Sequence, residues 1–135
     1  QEFKKVFQAF DINLFMKLKP PLVSLNVIRF DGCQKDNEVH IEVKILWVKQ
    51  KWISLITEQQ SNENKIYFID EGVLLPKPLK YWKHKHIIDK SIDSSIIIDD
   101  ICYNTNNILL DFLLFPALFL QFYFRKPVYK SYFSK

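Results

Sequence analysis

The sequence predicts an α+β domain in which a helix, about six antiparallel strands and one long apolar helix follow one another along the chain. Near the N-terminus, apolar residues recur every three or four positions, which is typical of a helix. The middle of the chain alternates apolar and polar residues in short runs between polar turns, and the residues after Asn107 return to helical spacing. A length of 135 residues with 48% hydrophobic and 25% charged residues fits one domain, residues 1–135, and excludes a disordered chain.

The first expected element is a helix over residues 3–18, because its apolar residues form one wide stripe. Prolines 20 and 21 should end it, since a residue that precedes proline avoids the helical region. Asp11 or Asn13 can also act as an N-cap and divide the segment into two shorter helices. The sequence leaves both arrangements open.

Strands are expected next, at residues 25–30, 39–47, 52–57, 65–69, 81–88 and 96–103. The second run alternates cleanly and should place five apolar side chains on one face: Val39, Ile41, Val43, Ile45 and Trp47. We expect residues 58–64 to be a polar loop. We expect residues 72–78 to be a connection, because proline has no amide hydrogen for a central ladder.

The last expected element is a helix that begins at Asn106 or Asn107 and that Pro116 and Pro127 kink or interrupt. Its apolar stretch, residues 108–124, is shorter than the roughly 20 apolar residues of a spanning helix. We therefore expect a helix buried against the sheet and no membrane span. Two alternatives are that part of it lines a cavity or that it forms a homodimer contact.

The charge and cysteine content narrow the partners and the compartment. The net charge is +4, but all basic residues except Arg29 and Arg125 are lysines, without a basic stripe interleaved with aromatics. No nucleic-acid partner is therefore expected. Cys33 and Cys102 lie far apart and outside any C-x-x-C pattern, and the chain opens without the apolar region of a secretory signal. These features predict a cytoplasmic protein with reduced thiols.

The most distinctive local pattern is the run from residue 82 to residue 86. Because strand side chains alternate, Trp82, His84 and His86 share one face, with the two imidazoles about 7 Å apart along the strand. That spacing suits two metal ligands or two hydrogen-bonding groups. A metal would need further ligands from elsewhere in the fold, with four candidates: His40, Asp70, Asp99 and Asp100. The simpler interpretation is that the histidines pack or line a cavity, so no metal or other cofactor is expected.

The following strand places Asp99 and Tyr103 on one face, and a short hairpin would bring Asp99 close to a histidine. A carboxylate beside an imidazole can serve general acid–base chemistry or a structural hydrogen bond. Asp70 comes just before Gly72 and is expected to be a turn residue. The sequence contains no nucleophile motif or glycine-rich phosphate loop, so no catalytic residue is assigned.

Taken together, these motifs resemble the SRPBCC family, the START-like helix-grip superfamily that includes pollen-allergen-like and polyketide-cyclase-like proteins. The resemblance covers nearly the whole chain. Its motifs are F-D-G at 30–32, F-I-D-E-G at 68–72 followed by L-P at 75–76, W-K-H-K-H at 82–86, D-D-I-C-Y at 99–103, and Phe122 with Arg125 in the last helix.

The resemblance implies a curved antiparallel sheet wrapped around a long C-terminal helix, with a hydrophobic cavity between them. The cavity-lining candidates are Trp82, His84, His86, Asp99, Tyr103, Phe115 and Phe119. Because the family fold begins with a strand before the first helix, one edge strand is expected to be missing from this chain. Residues 35–37 replace the Gly-Asp often found after the F-D-G turn and leave that hairpin unpredicted.

The function that the resemblance implies is intracellular binding or carriage of a hydrophobic small molecule, either lipid-like or polyketide-like. One alternative is a cyclase- or hydrolase-type enzyme that acts on such a molecule through His84, His86 and Asp99. Another is a ligand-free interaction module that dimerises through its C-terminal helix.

Overall fold

The fold is given by a computed structural model that describes residues 3–19, 23–45 and 47–134. Prolines 20 and 21, expected to end the first helix, lie outside the described residues. The elements in chain order are α1 (Phe3–Gln8), α2 (Ile12–Lys17), β1 (Val23–Phe30), β2 (Glu38–Ile45), β3 (Val48–Ser61), β4 (Lys65–Leu74), β5 (Tyr81–Lys90), β6 (Ser95–Asn104), α3 (Ile108–Tyr123) and α4 (Arg125–Phe133). The predicted α+β class is confirmed.

The six strands form one curved sheet in the order β1-β2-β3-β4-β5-β6, and every neighbouring pair is antiparallel. Short polar turns produce this meander. In the β3–β4 turn, Asn62 Oδ1 accepts hydrogen bonds from the backbone N–H groups of Asn64 and Lys65 at 2.8 and 2.9 Å. Register shifts in β1 and β3 are bulges, which bend the strands and contribute to the curvature.

Three boundary predictions are wrong. Residues 58–61 belong to β3 rather than to a loop, because they pair with residues 66–69 of β4, and Tyr67 Oη also donates to Glu58 at 2.9 Å. Residues 72–74 complete β4, so the proline-containing connection is shorter than expected. Trp47 lies in the turn after β2 with 81% of its surface exposed, whereas Ile41 and Val43 are buried.

The N-terminal segment forms two short helices, which confirms the second of the two alternatives. Asp11 caps α2 by accepting a hydrogen bond from the backbone N–H of Leu14 at 3.0 Å. The helix α1 covers one end of the concave face of the sheet. The buried core there consists of Phe3, Val6, Ile66 and Ile88.

The predicted start of the last helix is confirmed, because Asn107 Oδ1 accepts from the backbone N–H groups of Leu109 and Leu110 at 3.0 and 3.2 Å. Pro116 was expected to kink or interrupt this helix, yet α3 continues through it. Pro127 falls in the first turn of α4, where its missing N–H costs little. The C-terminal helical segment is therefore interrupted at Phe124, close to Pro127, and not at Pro116.

The expectation that the C-terminal helix is buried is wrong. No residue of α3 is buried, and Phe112 and Leu113 are 73% and 65% exposed. The reason is that α1 and α2 share the concave face of the sheet, so only one stripe of α3 meets it. The stretch Ile108–Phe133 is also long and apolar enough, by length and composition, to cross a membrane, and 6% of its most apolar window is buried.

Truncation of a buried apolar side chain should lower the free energy of unfolding more than truncation of an exposed one. Ile88 is 0% exposed, so Ile88→Ala should lower the free energy of unfolding by about 2–5 kcal/mol, measured by urea denaturation. Ile92 is 96% exposed in the β5–β6 turn, and Ile92→Ala should change it by less than about 0.5 kcal/mol. Equal effects of the two variants would contradict the position of the core.

Candidate functional site: a cavity walled by a histidine–aspartate cluster

Three neighbouring strands bring two histidines and two aspartates together on the inner face of the sheet. In the register, Asp70 of β4 lies opposite His84 of β5, and His86 of β5 lies opposite Asp99 of β6. Their side chains are 16%, 4%, 12% and 13% exposed in the order Asp70, His84, His86, Asp99. We call these four residues the His–Asp cluster. Asp70 is therefore a strand residue, and its predicted position in a turn is wrong.

The hydrogen bonds in the cluster run diagonally rather than straight across. His84 Nε2 lies 2.8 Å from Asp99 Oδ1, and His86 Nε2 lies 2.6 Å from Asp70 Oδ2. Each Nδ1 lies 3.7 Å from the other carboxylate, which is too far for a hydrogen bond. The two imidazoles stack with their centroids 3.5 Å apart and their planes 29° apart. Each ring thus lies between both carboxylates and bonds to one of them.

Burial and charge shift the pKa values in this cluster strongly. Burial raises the pKa of Asp99, but the hydrogen bond from His84 and the charge of Arg125 outweigh it and bring the pKa to about 2. For Asp70, burial is likewise outweighed by the hydrogen bond from His86 and the neighbouring positive charges, so its pKa is lowered. Burial, together with the adjacent His86, lowers the pKa of His84 to about 4.

These shifts determine the protonation of the cluster near neutral pH. Both carboxylates are ionised and only accept hydrogen bonds, so Nε2 of each histidine carries the donated hydrogen. Because His84 is neutral, its Nδ1 is a bare acceptor. Arg125 Nη1 lies 3.6 Å from Asp99 Oδ1. The carboxylates of Asp70 and Asp99 and the guanidinium of Arg125 together carry one net negative charge.

A cavity of about 140 Å³ lies between the concave face of the sheet and the helices, and three residues of the His–Asp cluster form part of its wall. Its apolar lining includes Phe10, Leu14, Ile41, Trp52, Ile56 and Trp82. The polar part of the wall includes Asp70, His84, His86 and Arg125, together with Asp11, Lys19, Ser54 and Gln121. An apolar lining with a smaller polar part is typical of a small-molecule site.

Two polar atoms of residues in this wall are buried without a hydrogen-bond partner among the described residues, namely His86 Nδ1 and Arg125 Nε. A buried polar atom without a hydrogen-bond partner lowers the free energy of unfolding by about 1–3 kcal/mol. Cys33 also lines the cavity, but burial raises the pKa of its thiol to about 12, and Sγ donates to the Phe10 carbonyl at 3.4 Å. The thiol is therefore an inert part of the wall, whereas His86 and Arg125 are positioned to contact a ligand.

A metal ion is the other group that the cluster could hold. Asp70, His84 and His86 each offer one ligand atom, and these atoms lie within 4.8 Å of one another. A metal held through Nε2 of His86 would displace the hydrogen that bonds to Asp70 at 2.6 Å. Of the other candidate ligands, His40 lies 3.3 Å from Glu38 on β2 and Asp100 is exposed on the opposite face of β6. Hydrogen bonding accounts for the arrangement.

The structure separates the seven predicted cavity residues into two places. Trp82, His84 and His86 line the cavity. The other four line a second depression, which we call the β6–α3 groove: Asp99, Tyr103, Phe115 and Phe119. Phe115 and Phe119 are each 57% exposed, so their predicted place in the cavity is wrong. The reason is that α3 presents them to the outside of the sheet edge.

Several wall residues were not expected from the sequence, among them Asp70, Arg125, Trp52 and Phe10. A signal for Asp70 was present, because it follows Phe68 by two positions on the same strand face, and Phe68 is buried. Arg125 had no such signal, since its position depends on how α4 packs.

Comparison with protein-family models, with curated proteins and with solved structures found no match. The curved six-strand antiparallel sheet and the long C-terminal helix are compatible with a helix-grip fold.

The lowered pKa of His84 predicts a loss of stability in mild acid. Its folded pKa of about 4 lies below the ordinary 6.5, so the unfolded chain takes up a proton that the folded protein excludes. The part of the free energy of unfolding that depends on a neutral His84 is therefore complete above pH 6.5, and it is lost as the pH falls toward 4. Urea unfolding should show about 2 kcal/mol of this loss between pH 7 and pH 5.

His84→Gln should remove that part of the pH dependence, because glutamine does not titrate. His40→Gln is the matched control, since His40 lies outside the cluster, and it should leave the dependence as in the wild type. An unchanged slope in His84→Gln would contradict the assignment.

Proposed function

We propose that the protein binds a small, uncharged, largely apolar molecule of about one ring in this cavity, in the manner of the SRPBCC-like binders that its motifs resemble. The observation that carries the proposal is an apolar cavity whose wall includes the buried, unpaired atoms His86 Nδ1 and Arg125 Nε. A polar group of the bound molecule would form hydrogen bonds with both atoms. The apolar part of the ligand would pack among Trp52, Trp82 and Ile56.

The volume limits the size of the ligand. A cavity of about 150 Å³ holds benzene, whereas sites for drug-sized ligands are about 300–1,000 Å³. The cavity here is about 140 Å³. A single ring with one or two small substituents is therefore favoured over a sterol, a long-chain fatty acid or a fused polyketide.

The charge of the wall limits the chemistry of the ligand. Among the lining residues, Asp11 and Asp70 offset Lys19 and Arg125. Asp99, which bonds to His84, adds one negative charge beside the wall, so a carboxylate ligand would be repelled. A hydroxyl group can both donate and accept, so it can accept from Arg125 Nε and also form a hydrogen bond with His86 Nδ1. Phenols and cyclic alcohols match both requirements.

An enzyme is the second candidate, and one observation favours it. His84 lines the cavity, is neutral near pH 7, and is oriented by Asp99, so its bare Nδ1 has the form of a general base. Abstraction of a proton from the bound molecule would suit a cyclase- or hydrolase-type reaction. In that case His84→Ala should abolish turnover and spare ligand binding.

The proposal includes the expected intracellular location. The two cysteines are free, Cys33 partly buried and Cys102 exposed, as is common in a reducing compartment.

Binding can be measured through the fluorescence of Trp52 and Trp82, which line the cavity. We expect saturable changes with p-cresol and cyclohexanol, binding of benzoate at least about tenfold weaker because of the negative charge beside the wall, and no saturation with palmitate. Ile56→Phe should abolish binding by filling the cavity. Ile28→Phe, at a position that is 57% exposed, is the matched control and should bind normally.

The proposal would be overturned by a wild-type protein that binds none of the uncharged rings, or by an Ile56→Phe variant that is folded and binds as tightly as the wild type. Circular dichroism and urea unfolding of both variants establish that they are folded.

A further inference from the structure

The outer face of α3 is apolar without a break, and no part of the chain that the structure describes covers it. We define this outer face by six side chains that are each more than half exposed: Leu109, Phe112, Leu113, Phe115, Phe119 and Leu120. Soluble proteins rarely expose a contiguous apolar surface of this kind, and such a surface usually marks an interaction site.

The inner side of the same helix is fixed to the sheet. Tyr103 Oη donates to the backbone carbonyl of Asp111 at 2.6 Å, and Thr105 Oγ1 donates to the Asp111 carboxylate at 2.7 Å. Further along, the ring of Phe122 stacks on that of Trp82 with the centroids 6.1 Å apart. These contacts hold the opposite side of the helix against the sheet, so the outer face stays exposed, with Phe115 and Phe119 at its border with the β6–α3 groove.

The exposed charges of the two C-terminal helices have one sign, and the exposed carboxylate of Asp100 lies on β6, across the β6–α3 groove. Lys126 and Lys130 are exposed on α4, directly after the apolar stretch. Within residues 108–134, all of which the structure describes, no exposed residue is acidic, and Asp111 is bonded to Thr105. The exposed surface of the two helices is thus an apolar area followed by a basic one.

We propose that the outer face of α3 docks on an anionic lipid bilayer, with the helix lying in the plane of the membrane surface. The apolar side chains would enter the boundary between headgroups and acyl chains, and Lys126 and Lys130 would meet the headgroup phosphates. Tyr123, exposed between the two regions, would lie at headgroup level. This arrangement explains why α3 is apolar on both sides, because one side packs on the sheet and the other meets lipid.

The inner contacts favour in-plane docking over a span. A spanning helix would have to break the hydrogen bonds to Asp111, the Phe122–Trp82 contact and the approach of Arg125 to Asp99. In-plane docking keeps all of them.

A second copy of the chain matches the outer face less well than lipid does. On α3 and α4 of a partner copy, Lys126 and Lys130 would find no exposed carboxylate, whereas anionic headgroups pair with them.

The test is flotation of the full chain with vesicles of phosphatidylcholine alone and with equal parts of phosphatidylcholine and phosphatidylglycerol. We expect stronger binding to the anionic vesicles. Lys126→Glu/Lys130→Glu should lower the partition coefficient at least about tenfold. Lys35→Glu/Lys51→Glu, which reverses two exposed lysines on other elements, is the matched control and should have a much smaller effect.

The apolar contribution is tested in the same way. Phe112→Ser/Phe119→Ser should abolish flotation, whereas Ile92→Ser, which removes a 96% exposed apolar side chain elsewhere, should not. Near-ultraviolet circular dichroism of the tryptophans should be unchanged by vesicles, since docking keeps the Phe122–Trp82 contact.

Three results would overturn the proposal. One is a lack of binding to both kinds of vesicle. Another is a dimer, seen by analytical ultracentrifugation, that Phe112→Ser/Phe119→Ser dissociates and that does not bind vesicles. The third is loss of the near-ultraviolet signal on vesicles, which would indicate insertion of the helix instead of docking.

Discussion

Two diagonal hydrogen bonds, from His84 to Asp99 and from His86 to Asp70, connect the three strands that form the centre and one edge of the sheet. They run between side chains that are at most 16% exposed, so neither partner can exchange its bond for water without a large cost. Removal of one partner would leave the other buried and unpaired. The position of the two imidazoles, their protonation and the polar part of the cavity wall all depend on these bonds.

Arg125 joins this cluster to the C-terminal helices. Its guanidinium lies 3.6 Å from Asp99 and over the ring of Phe122 at 4.3 Å. The charge of Arg125 offsets part of the negative charge of the cluster, and its aliphatic stem and neighbours hold the start of α4 against the sheet. Arg125 and Phe122 line both the cavity and the β6–α3 groove and therefore lie between the two.

Much of the site could be predicted from strand alternation alone. The period of two places Trp82, His84 and His86 on one face, and the short hairpin brings Asp99 within 2.8 Å of His84. Asp70 was missed because its neighbour Gly72 suggested a turn, although cross-strand pairing continues past it.

The C-terminal helix itself could be predicted from the sequence, but the surface that it packs against could not. An apolar pattern establishes that a surface avoids water, but it does not specify which surface covers it. For α3, the sheet covers only one stripe, because α1 and α2 take up the remaining concave face. Pro116 does not interrupt α3, which continues through it.

The central claim is that the cluster holds His84 neutral, with its hydrogen on Nε2 and a bare Nδ1. The most direct measurement is nuclear magnetic resonance of the ¹⁵N-labelled imidazole nitrogens near neutral pH. We predict one protonated and one unprotonated nitrogen for His84, with the protonated Nε2 coupled to Asp99 and no titration until the pH approaches 4. Two protonated ring nitrogens at neutral pH, or a hydrogen on Nδ1, would contradict this arrangement of the site.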